Sequence, residues 1–176
     1  MTNSFQSLLE KLKKGNNLEL GNNENFSTEI ILDYSLQCST FGGSTFINVS
    51  FKNIDFTGSF FSKTTFENCR FSKTIFRKAE FCKCTFCNCE IEESNFTRAE
   101  FTSSIFRNCE FLKSNLGGSY FIDSEFREIK FNNNNLELII VDSVKLWKSN
   151  QCTKIKISFN FEKILNDLDL ISNDEI

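Results

Sequence analysis

The sequence predicts an all-β protein, a solenoid of stacked coils with about 20 residues in each coil. Three observations support this fold class. A bulky apolar residue, mostly Phe, occupies every fifth position from Phe41 to Leu146. A second residue, usually small, stands two places before each of them, and no insertion breaks the register between Cys38 and Lys148. A period of five fits neither the 3.6 residues of a helical turn nor the two-residue repeat of a strand.

The spacing of the two inward positions defines the geometry of a coil. The step from the small residue to the central one makes a short strand segment with both side chains on one face. The remaining residues contain a turn that directs the next pair inward. If each turn is close to a right angle, four units close one coil, and coils stack at the ~4.8 Å spacing of paired strands. Residues 20 apart then form columns, which include Phe61, Phe81, Phe101 and Phe121; Phe66, Phe86 and Phe106; and Phe71 and Phe111.

The turns occupy the two residues after each central position. The second of these is often Gly or Asn, as at Gly43 and Asn88, and elsewhere Lys or Arg, as at Lys83 and Arg98. Gly and Asn tolerate the positive φ that a type II turn requires at its third residue, whereas Lys and Arg suit type I turns, which need no positive φ. The sequence therefore predicts a mixture of turn types.

The N-terminal end of the repeat is predicted to be capped. Residues 1–15 contain an amphipathic segment, SFQSLLEKLKK, whose apolar residues follow helical spacing and which Gly15 is placed to end. A calmodulin-type or membrane-surface helix would show the same pattern, but a cap over the open end of the repeat is favoured. Residues 16–150 hold the repeat, which begins with an irregular first coil over 16–37 and a candidate strand at 28–33.

The C-terminal residues 151–176 leave the five-residue phase. Alternation of polar and apolar residues predicts a strand over 152–158. Apolar residues at helical spacing predict an amphipathic helix over 161–172, with Ser158 or Asn160 as its N-cap. Such a helix would cover the last coil, whose open edge would otherwise expose unpaired strand groups. The residues predicted to form this cap, or a dimer contact, are Trp147, Phe161, Ile164, Leu165 and Leu168, with Ile171 continuing the helical stripe.

Residues 61–90, FSKTTFENCRFSKTIFRKAEFCKCTFCNCE, resemble the pentapeptide-repeat family, whose pattern is a central Phe or Leu with a small residue two places before it. The resemblance implies a right-handed quadrilateral parallel β-helix and a protein that is not an enzyme. It also implies a type II topoisomerase as a candidate partner, engaged by a DNA-like rod, and a homodimer through the C-terminal elements. Quinolone-protecting members usually carry loops that break the repeat, and this chain departs from that pattern.

The cysteines of residues 82–89 have the spacing C-x-C-x-x-C-x-C, which out of context suggests a metal site. In the repeat, Cys84 and Cys89 are inward residues on successive faces, and the other two thiols point outward. Four thiolates cannot converge in tetrahedral geometry from these positions. Cys69, Cys89 and Cys109 are 20 apart and are predicted to stack as an inward ladder of small hydrophobic residues. Neither a metal nor any other cofactor is predicted.

Six glutamates form a candidate partner surface. One pair is predicted on one face and the other four on the opposite face, where several Lys and Arg residues interrupt them. A negative surface that mimics DNA or meets a basic partner is one interpretation. A solvated wall that keeps the protein in solution is the favoured one. The first pair is Glu80 and Glu100, and the second group is Glu90, Glu92, Glu93 and Glu110.

Several large apolar residues fall on outward positions. Phe60 and Tyr120 share one face but lie three coils apart, so they do not make one patch. Large apolar side chains that are scattered singly on a surface need no special explanation. The remaining outward residues of this kind are Ile75, Ile105, Ile140 and Trp147.

Composition narrows the function classes. The 176 residues include no His, which removes the commonest general base, and the net charge of −3 lacks the basic footprint of nucleic-acid binding. No apolar run of about 18 residues indicates a membrane helix, and no secretory signal is visible. The sequence therefore predicts a cytoplasmic, non-enzymatic interaction module with reduced thiols and an unidentified protein partner. A structural scaffold and a modulator of type II topoisomerase are the alternatives.

Overall fold

The chain forms the parallel β-solenoid that the five-residue period predicts, with about six turns and one short C-terminal helix in the described range. The computed structural model describes residues 19–172. The helix predicted within residues 1–15 lies outside this range.

Each coil has four faces, and the same face of successive coils pairs in parallel. Face 1 contains β1 (Glu19–Asn22), β4 (Thr40–Gly42), β7 (Phe60–Ser62), β10 (Glu80–Cys82), β13 (Glu100–Thr102), β16 (Tyr120–Ile122) and the start of β19 (Ile140–Lys148). Face 2 contains β2 (Asn25–Ser27), β5 (Thr45–Ile47), β8 (Thr65–Glu67), β11 (Thr85–Cys87), β14 (Ile105–Arg107), β17 (Glu125–Arg127) and the end of β19. Face 3 contains β3 (Ile30–Leu32), β6 (Ser50–Lys52), β9 (Arg70–Ser72), β12 (Glu90–Glu92), β15 (Glu110–Leu112), β18 (Lys130–Asn132) and β21 (Ile171–Ser172). Face 4 consists of single bridges that join Ser35, Asp55, Ile75, Asn95, Asn115 and Asn135.

The register between coils is the predicted 20 residues. Phe81 pairs with Phe61 on one side and with Phe101 on the other. The first coil is irregular, as predicted, because the register shifts within β1: Glu19 pairs with Thr40, but Asn22 pairs with Gly42.

The core is a set of stacked Phe columns. Phe81 is 1% exposed, and its ring centroid lies 4.7 Å from that of Phe101 with an angle of 7° between the planes. The rings of Phe81 and Phe86, on adjacent faces, meet at 64° with centroids 5.6 Å apart. Offset stacking along the axis and edge contacts around it are the arrangements that aromatic pairs prefer. Burial of each such ring contributes roughly 1.5–3 kcal/mol to stability.

The corners differ from the prediction. The second residue of every corner from Gly43 to Ser143 has a positive φ, and these residues include Lys63 and Arg98. Type I turns at the Lys and Arg corners are therefore a wrong prediction, since their third residue has negative φ. The physical reason is that, at the corners from Gly43 to Glu128, the amide of this residue donates a hydrogen bond to a carbonyl oxygen of the next coil, as Lys83 N does to Thr102 O at 2.8 Å.

The last strands form a hairpin that the sequence interpretation missed. Ser149 and Asn150, with φ of 47° and 66°, make a two-residue turn of the kind that suits the twist of a hairpin. The strand predicted over 152–158 is confirmed as β20 (Gln151–Ser158), which returns antiparallel along β19.

The C-terminal helix is shorter than predicted. Helix α1 spans Phe161–Asp167, and Asn160 caps it by accepting a hydrogen bond from Lys163 N at 3.2 Å. Asp169 adopts a positive φ, and β21 then pairs with β18 on face 3. The predicted continuation of the helix through Ile171 is therefore wrong.

Helix α1 covers the end of the core. The Phe161 ring lies 5.9 Å from that of Phe126, and Leu165 is fully buried. Ile164 and Leu168 are half-buried against the same core. Lys148 Nζ donates to the carbonyl oxygen of Leu168 at 2.8 Å, which ties the end of the helix to β19.

Candidate protein-interaction surface

The inward cysteines form a ladder inside the solenoid. Cys69, Cys89 and Cys109 are at most 2% exposed, and each thiol donates to the carbonyl oxygen of a residue in the coil below. Side-chain hydrogen bonds with Cys109 and Cys69, together with burial, raise the pKa of Cys89. Burial raises the pKa of Cys84 to about 12. The raised pKa values hold Cys84 and Cys89 in the neutral thiol form, which is a poor nucleophile and a poor metal ligand.

The outward cysteines occupy different faces. Cys82 lies on face 1 and Cys87 on face 2, and both are half-buried. Within residues 19–172, no three His, Cys, Asp or Glu side chains are grouped so that they could hold a metal ion. None of the helices in that range is long and apolar enough to cross a bilayer.

The acidic residues of face 3 are largely compensated. Glu90 forms an ion pair with Arg70, in the coil below, and Glu93 lies 3.4 Å from Lys73 Nζ. Glu110 accepts a hydrogen bond from Asn132 Nδ2 at 2.5 Å. Face 3 with its flanking corner therefore presents alternating charges to solvent.

The acidic pair of face 1 has a different setting. Glu80 and Glu100 are direct neighbours in adjacent strands, and both side chains are exposed. Within the described part of the chain, neither is joined to a Lys or Arg by an ion pair. Phe60 continues this row below Glu80, and Tyr120 continues it above Glu100, at 37% and 41% exposure. We call the four residues Phe60, Glu80, Glu100 and Tyr120 the face 1 row.

An apolar surface, interrupted by Asp142, lies at the C-terminal end of face 1. Its members come from β16, β19, β20 and the adjoining corners. Tyr120 pairs with Ile140, and Ile122 pairs with Asp142, which in turn pairs with Ile157 of β20. Leu138 and Phe159 are the most exposed members, at 81% and 69%. We call this surface the terminal patch: Tyr120, Ile122, Leu138, Ile140, Ile157 and Phe159.

The terminal patch corrects the sequence interpretation. Tyr120 and Ile140 are not scattered singly, because four further apolar residues surround them. Tyr120, Ile140, Leu138 and Phe159 line one open depression of about 340 Å³, with Arg98 at its edge. The sequence shows an outward apolar residue in Ile140, but only the antiparallel return of β20 brings Ile157 and Phe159 beside it.

Trp147 packs at the opposite edge of β19, on face 2. The guanidinium carbon of Arg127 lies 4.6 Å from the centroid of its ring, a cation–π contact. Arg127 also forms an ion pair with Glu125. Trp147 pairs with Cys152 of β20, so it lies within the C-terminal hairpin.

Two family models match this chain. The model described as "Pentapeptide repeat region" matches residues 60–140, and that described as "Pentapeptide repeats (8 copies)" matches residues 35–72. Together they cover residues 35–140, which is more than half of the sequence. No curated protein matches the chain.

Several solved structures are similar to this chain. A pentapeptide repeat protein (Rfr23) from the cyanobacterium Cyanothece 51142 is 11% identical, with a TM-score of 0.49, and the match covers 82% of this chain and 99% of the Rfr23 chain. The plasmid-mediated fluoroquinolone resistance protein QnrB1 is 13% identical, with a TM-score of 0.45, and the match covers 90% of this chain and 96% of the QnrB1 chain. HetL from Nostoc sp. strain PCC 7120 is a protein involved in heterocyst differentiation regulation. It is 10% identical, with a TM-score of 0.33, and the match covers 79% of this chain and 81% of the HetL chain. On the unbroken five-residue register and the two family models, this chain belongs to the pentapeptide-repeat proteins.

Proposed function

We propose that this chain is a non-enzymatic interaction module that presents face 1 to a protein partner. The observation that carries the proposal is the face 1 row, in which two exposed carboxylates stand between two exposed aromatic rings. On and beside the opposite face, Glu90, Glu93 and Glu110 are engaged in ion pairs or a hydrogen bond within the chain. Face 1 leaves Glu80 and Glu100 available to cations of another molecule.

The surroundings of the reactive groups support a role without catalysis. The carboxylates lie on flat walls in water, whereas acid–base catalysis is favoured by pKa values tuned through burial and neighbours. The thiol of Cys84 is enclosed, and its pKa is raised to about 12 by burial. What the fold supplies is a rigid surface with fixed spacing between its side chains.

The row also defines the chemistry of the partner. Strands in neighbouring coils are separated by ~4.8 Å, so Glu80 and Glu100 together make a compact double negative charge. A surface with Lys or Arg side chains, flanked by apolar groups that meet Phe60 and Tyr120, is complementary to it. Aromatic residues are common energetic centres of interfaces, and charge complementarity selects the partner.

The test compares two isosteric double substitutions. Immobilised protein is used to capture partners from native cytoplasm, followed by mass spectrometry. Glu80→Gln with Glu100→Gln is expected to lose the captured protein, because both charges of the row disappear. Glu90→Gln with Glu110→Gln, on face 3, is the matched control and is expected to retain it. Capture that survives the face 1 substitutions, or that disappears only with the face 3 pair, would contradict the proposal.

Modulation of a type II topoisomerase is the second candidate, and the uncompensated pair on face 1 is the feature that favours it. The ion pairs of Glu90 and Glu93 weigh against a long DNA-like stripe. A gyrase supercoiling assay, with and without a quinolone, tests this candidate directly. An unchanged reaction at large molar excess of the protein would exclude it.

The state of the thiols bears on the proposed location. All eight cysteines lie within the described residues and are free thiols in the structure. Free thiols are the usual state in reducing compartments. We therefore place the module in the cytoplasm as part of the proposal.

A further inference from the structure

The second strand of the C-terminal hairpin has a free edge. Strand β20 is eight residues long, and among the strands of the described range it pairs only with β19. The strands from β2 to β18 have three residues each, and short strands are one way in which proteins keep sheet edges from pairing. The edge of β20, roughly 27 Å long at the usual rise of a strand, is not shortened in this way.

Two residues of β20 direct their backbone groups to this edge. Lys145 N donates to Ser124 O at 3.0 Å, and the carbonyl oxygen of Trp147 also accepts a hydrogen bond from the coil below at 3.0 Å. Both residues of β19 therefore turn their backbone groups away from β20. In an antiparallel ladder the residue directly opposite such a position turns away as well. The residues opposite are Lys154 and Cys152, so their N–H and C=O groups point to the free edge.

The outward face beside this edge is basic. Lys145 and Lys154 lie directly opposite each other and are exposed, and Lys156 follows on the same strand. Within residues 19–172, none of these three lysines forms an ion pair. Glu125, which lies directly below Lys145, forms its ion pair with Arg127. Like charges directly opposite each other destabilise a sheet, so the fold keeps a positive pair that it does not neutralise.

The charge of the edge selects among its possible occupants. A second copy of the chain would bring the same lysines to the edge, and like charges would oppose the pairing. A segment with carboxylates at alternate positions would place them beside Lys145 and Lys154, because alternate side chains of a strand point to one face. Asp142 lies opposite Ile157, so the acidic segment fits the half of β20 that extends face 2.

The inward side of the edge has room for further side chains. An open depression of about 370 Å³ lies between Gln151 and Thr153, at the start of β20, and residues 167–170. The side chains of an added strand that alternate with its carboxylates would point to this side. Apolar side chains suit these positions, because three leucines contribute to the lining. These are Leu146, Leu168 and Leu170.

We propose that the free edge of β20 binds an extended acidic segment of a partner protein, which joins the sheet as an additional strand. The backbone groups of Cys152 and Lys154 hold the segment, and its Asp or Glu side chains face Lys145 and Lys154. In strand addition the main chain supplies affinity and the alternate side chains supply specificity. The inference goes beyond the proposed function, since it concerns another face and a partner group of opposite charge. Its failure leaves the proposed function of face 1 unaffected.

The test measures fluorescence anisotropy of a labelled probe with the full-length protein. The probe is a peptide of about eight residues in which Glu and Val alternate, with both ends blocked, at about 50 mM salt. It is expected to bind with a Kd below about 1 mM. A peptide with Lys in place of each Glu is expected not to bind. The Glu–Val peptide with every backbone amide methylated is also expected not to bind, because it keeps the charges but has no donors for the edge.

Lys154→Glu separates the contact from folding. The new carboxylate lies opposite Lys145 and replaces a repulsive pair with an attractive one, so the midpoint of thermal unfolding is expected to rise. Affinity for the Glu–Val peptide is expected to fall by at least about tenfold, because the edge loses its positive charge. The matched control is Lys52→Glu, the same substitution at an exposed strand position of face 3. It is expected to leave binding unchanged.

Three results would overturn the proposal. The first is the absence of binding by the Glu–Val peptide up to about 1 mM protein. The second is equal binding by the methylated peptide or by Lys154→Glu, which would show that strand addition at this edge is not the contact. The third is tighter binding of single-stranded oligothymidylate than of the peptide at the same salt, which would identify the lysines as a nucleic-acid surface.

Discussion

The small inward residues of the repeat connect the coils by hydrogen bonds. Ser104 shows this at the level of atoms. Its Oγ accepts a hydrogen bond from Cys84 N at 3.2 Å and donates one to the carbonyl oxygen of Phe81 at 3.1 Å. Ser124 repeats the arrangement one coil further on. The hydroxyl thus serves an amide and a carbonyl of the preceding coil, and for this reason Ser, Thr and Cys suit the position better than their size alone explains.

Ser119 provides an internal control for this account. Ser104 and Ser119 are both fully buried at the small position, but Ser119 Oγ has no hydrogen-bond partner among the described residues. Ser104→Ala is expected to lower the free energy of unfolding by about 1–3 kcal/mol, because it leaves a buried amide without its acceptor. Ser119→Ala is expected to change it by less than about 0.5 kcal/mol. Urea denaturation measures both, and equal losses would contradict the role assigned to the hydroxyl.

The buried thiol of Cys84 makes stability depend on alkaline pH. Its ordinary pKa of 9.0 applies to the unfolded chain, and burial raises the pKa in the folded protein to about 12. The stabilisation is complete below pH 9 and is lost as the pH rises from about 9 to about 12, since the unfolded state releases its proton first. The slope for one such thiol is about 1.4 kcal/mol per pH unit.

Substitution of Cys84 tests this dependence. Cys84→Ser and Cys84→Val both remove the thiol, and each is expected to reduce the alkaline loss of stability by the contribution of one group. The measurement is the free energy of unfolding at several pH values between 8 and 11, compared with the parent protein. An unchanged slope in both variants would show that Cys84 does not carry the effect.

At the level of elements, the corners are uniform in backbone conformation although their residues differ. Lys83 and Arg98 adopt the same left-handed conformation as Gly58 and Gly118. Their amides donate to carbonyl oxygens of the next coil at 2.8 Å and 3.1 Å. The stacking of coils therefore imposes a conformation that these residues would not choose alone, and part of the binding energy between coils is used to maintain it.

A glycine at such a corner should stabilise the protein. Lys83→Gly relieves ~1–2 kcal/mol of backbone strain, which stabilises the folded protein. It also raises the conformational entropy of the unfolded chain, which costs ~0.4–1 kcal/mol of stability. The expected net gain in the free energy of unfolding is about 0.5–1 kcal/mol. Ser72→Gly, in strand β9, is the control and is expected to cost about 0.5–1 kcal/mol. Thermal and urea unfolding measure both variants. A loss of stability in Lys83→Gly would mean that the lysine side chain contributes more than its backbone costs.

The sequence predicts the parts of this fold that repeat and misses those that occur once. The columns of Phe and Cys follow from the five-residue period, because one geometric unit recurs without interruption. The corner conformation was predicted wrongly because it depends on hydrogen bonds between coils and not on the residue itself. Ile171 has helical spacing from Phe161, but it pairs with Phe131 because the third face of the last coil is open there. The terminal patch depends on the antiparallel register of β20, which no periodicity in the sequence specifies.

At the level of the whole molecule, each coil contacts only the coil on either side. The ring of Phe81 meets Phe61 and Phe101 along its column and Phe76 and Phe86 around it. Stability in such a solenoid is a sum of coil and interface contributions, so a local defect can remain local. The last coil differs because Phe161 of α1 closes its end and links three columns.

Two Phe to Ala substitutions test whether defects stay local. Phe81→Ala removes a central ring and is expected to cost about 3–5 kcal/mol. In hydrogen exchange followed by mass spectrometry, the loss of protection is expected in β7, β10 and β13, while β19 and β20 keep their protection.

Phe126→Ala acts at the cap, because the Phe126 ring contacts Phe106 and Phe161. In this variant the loss of protection is expected to extend to β19 and α1. The two patterns distinguish a chain of coupled coils from a single cooperative unit. If Phe81→Ala lowers the protection of every strand by the same factor, the solenoid unfolds as one body, and the neighbour-only description of its stability is wrong.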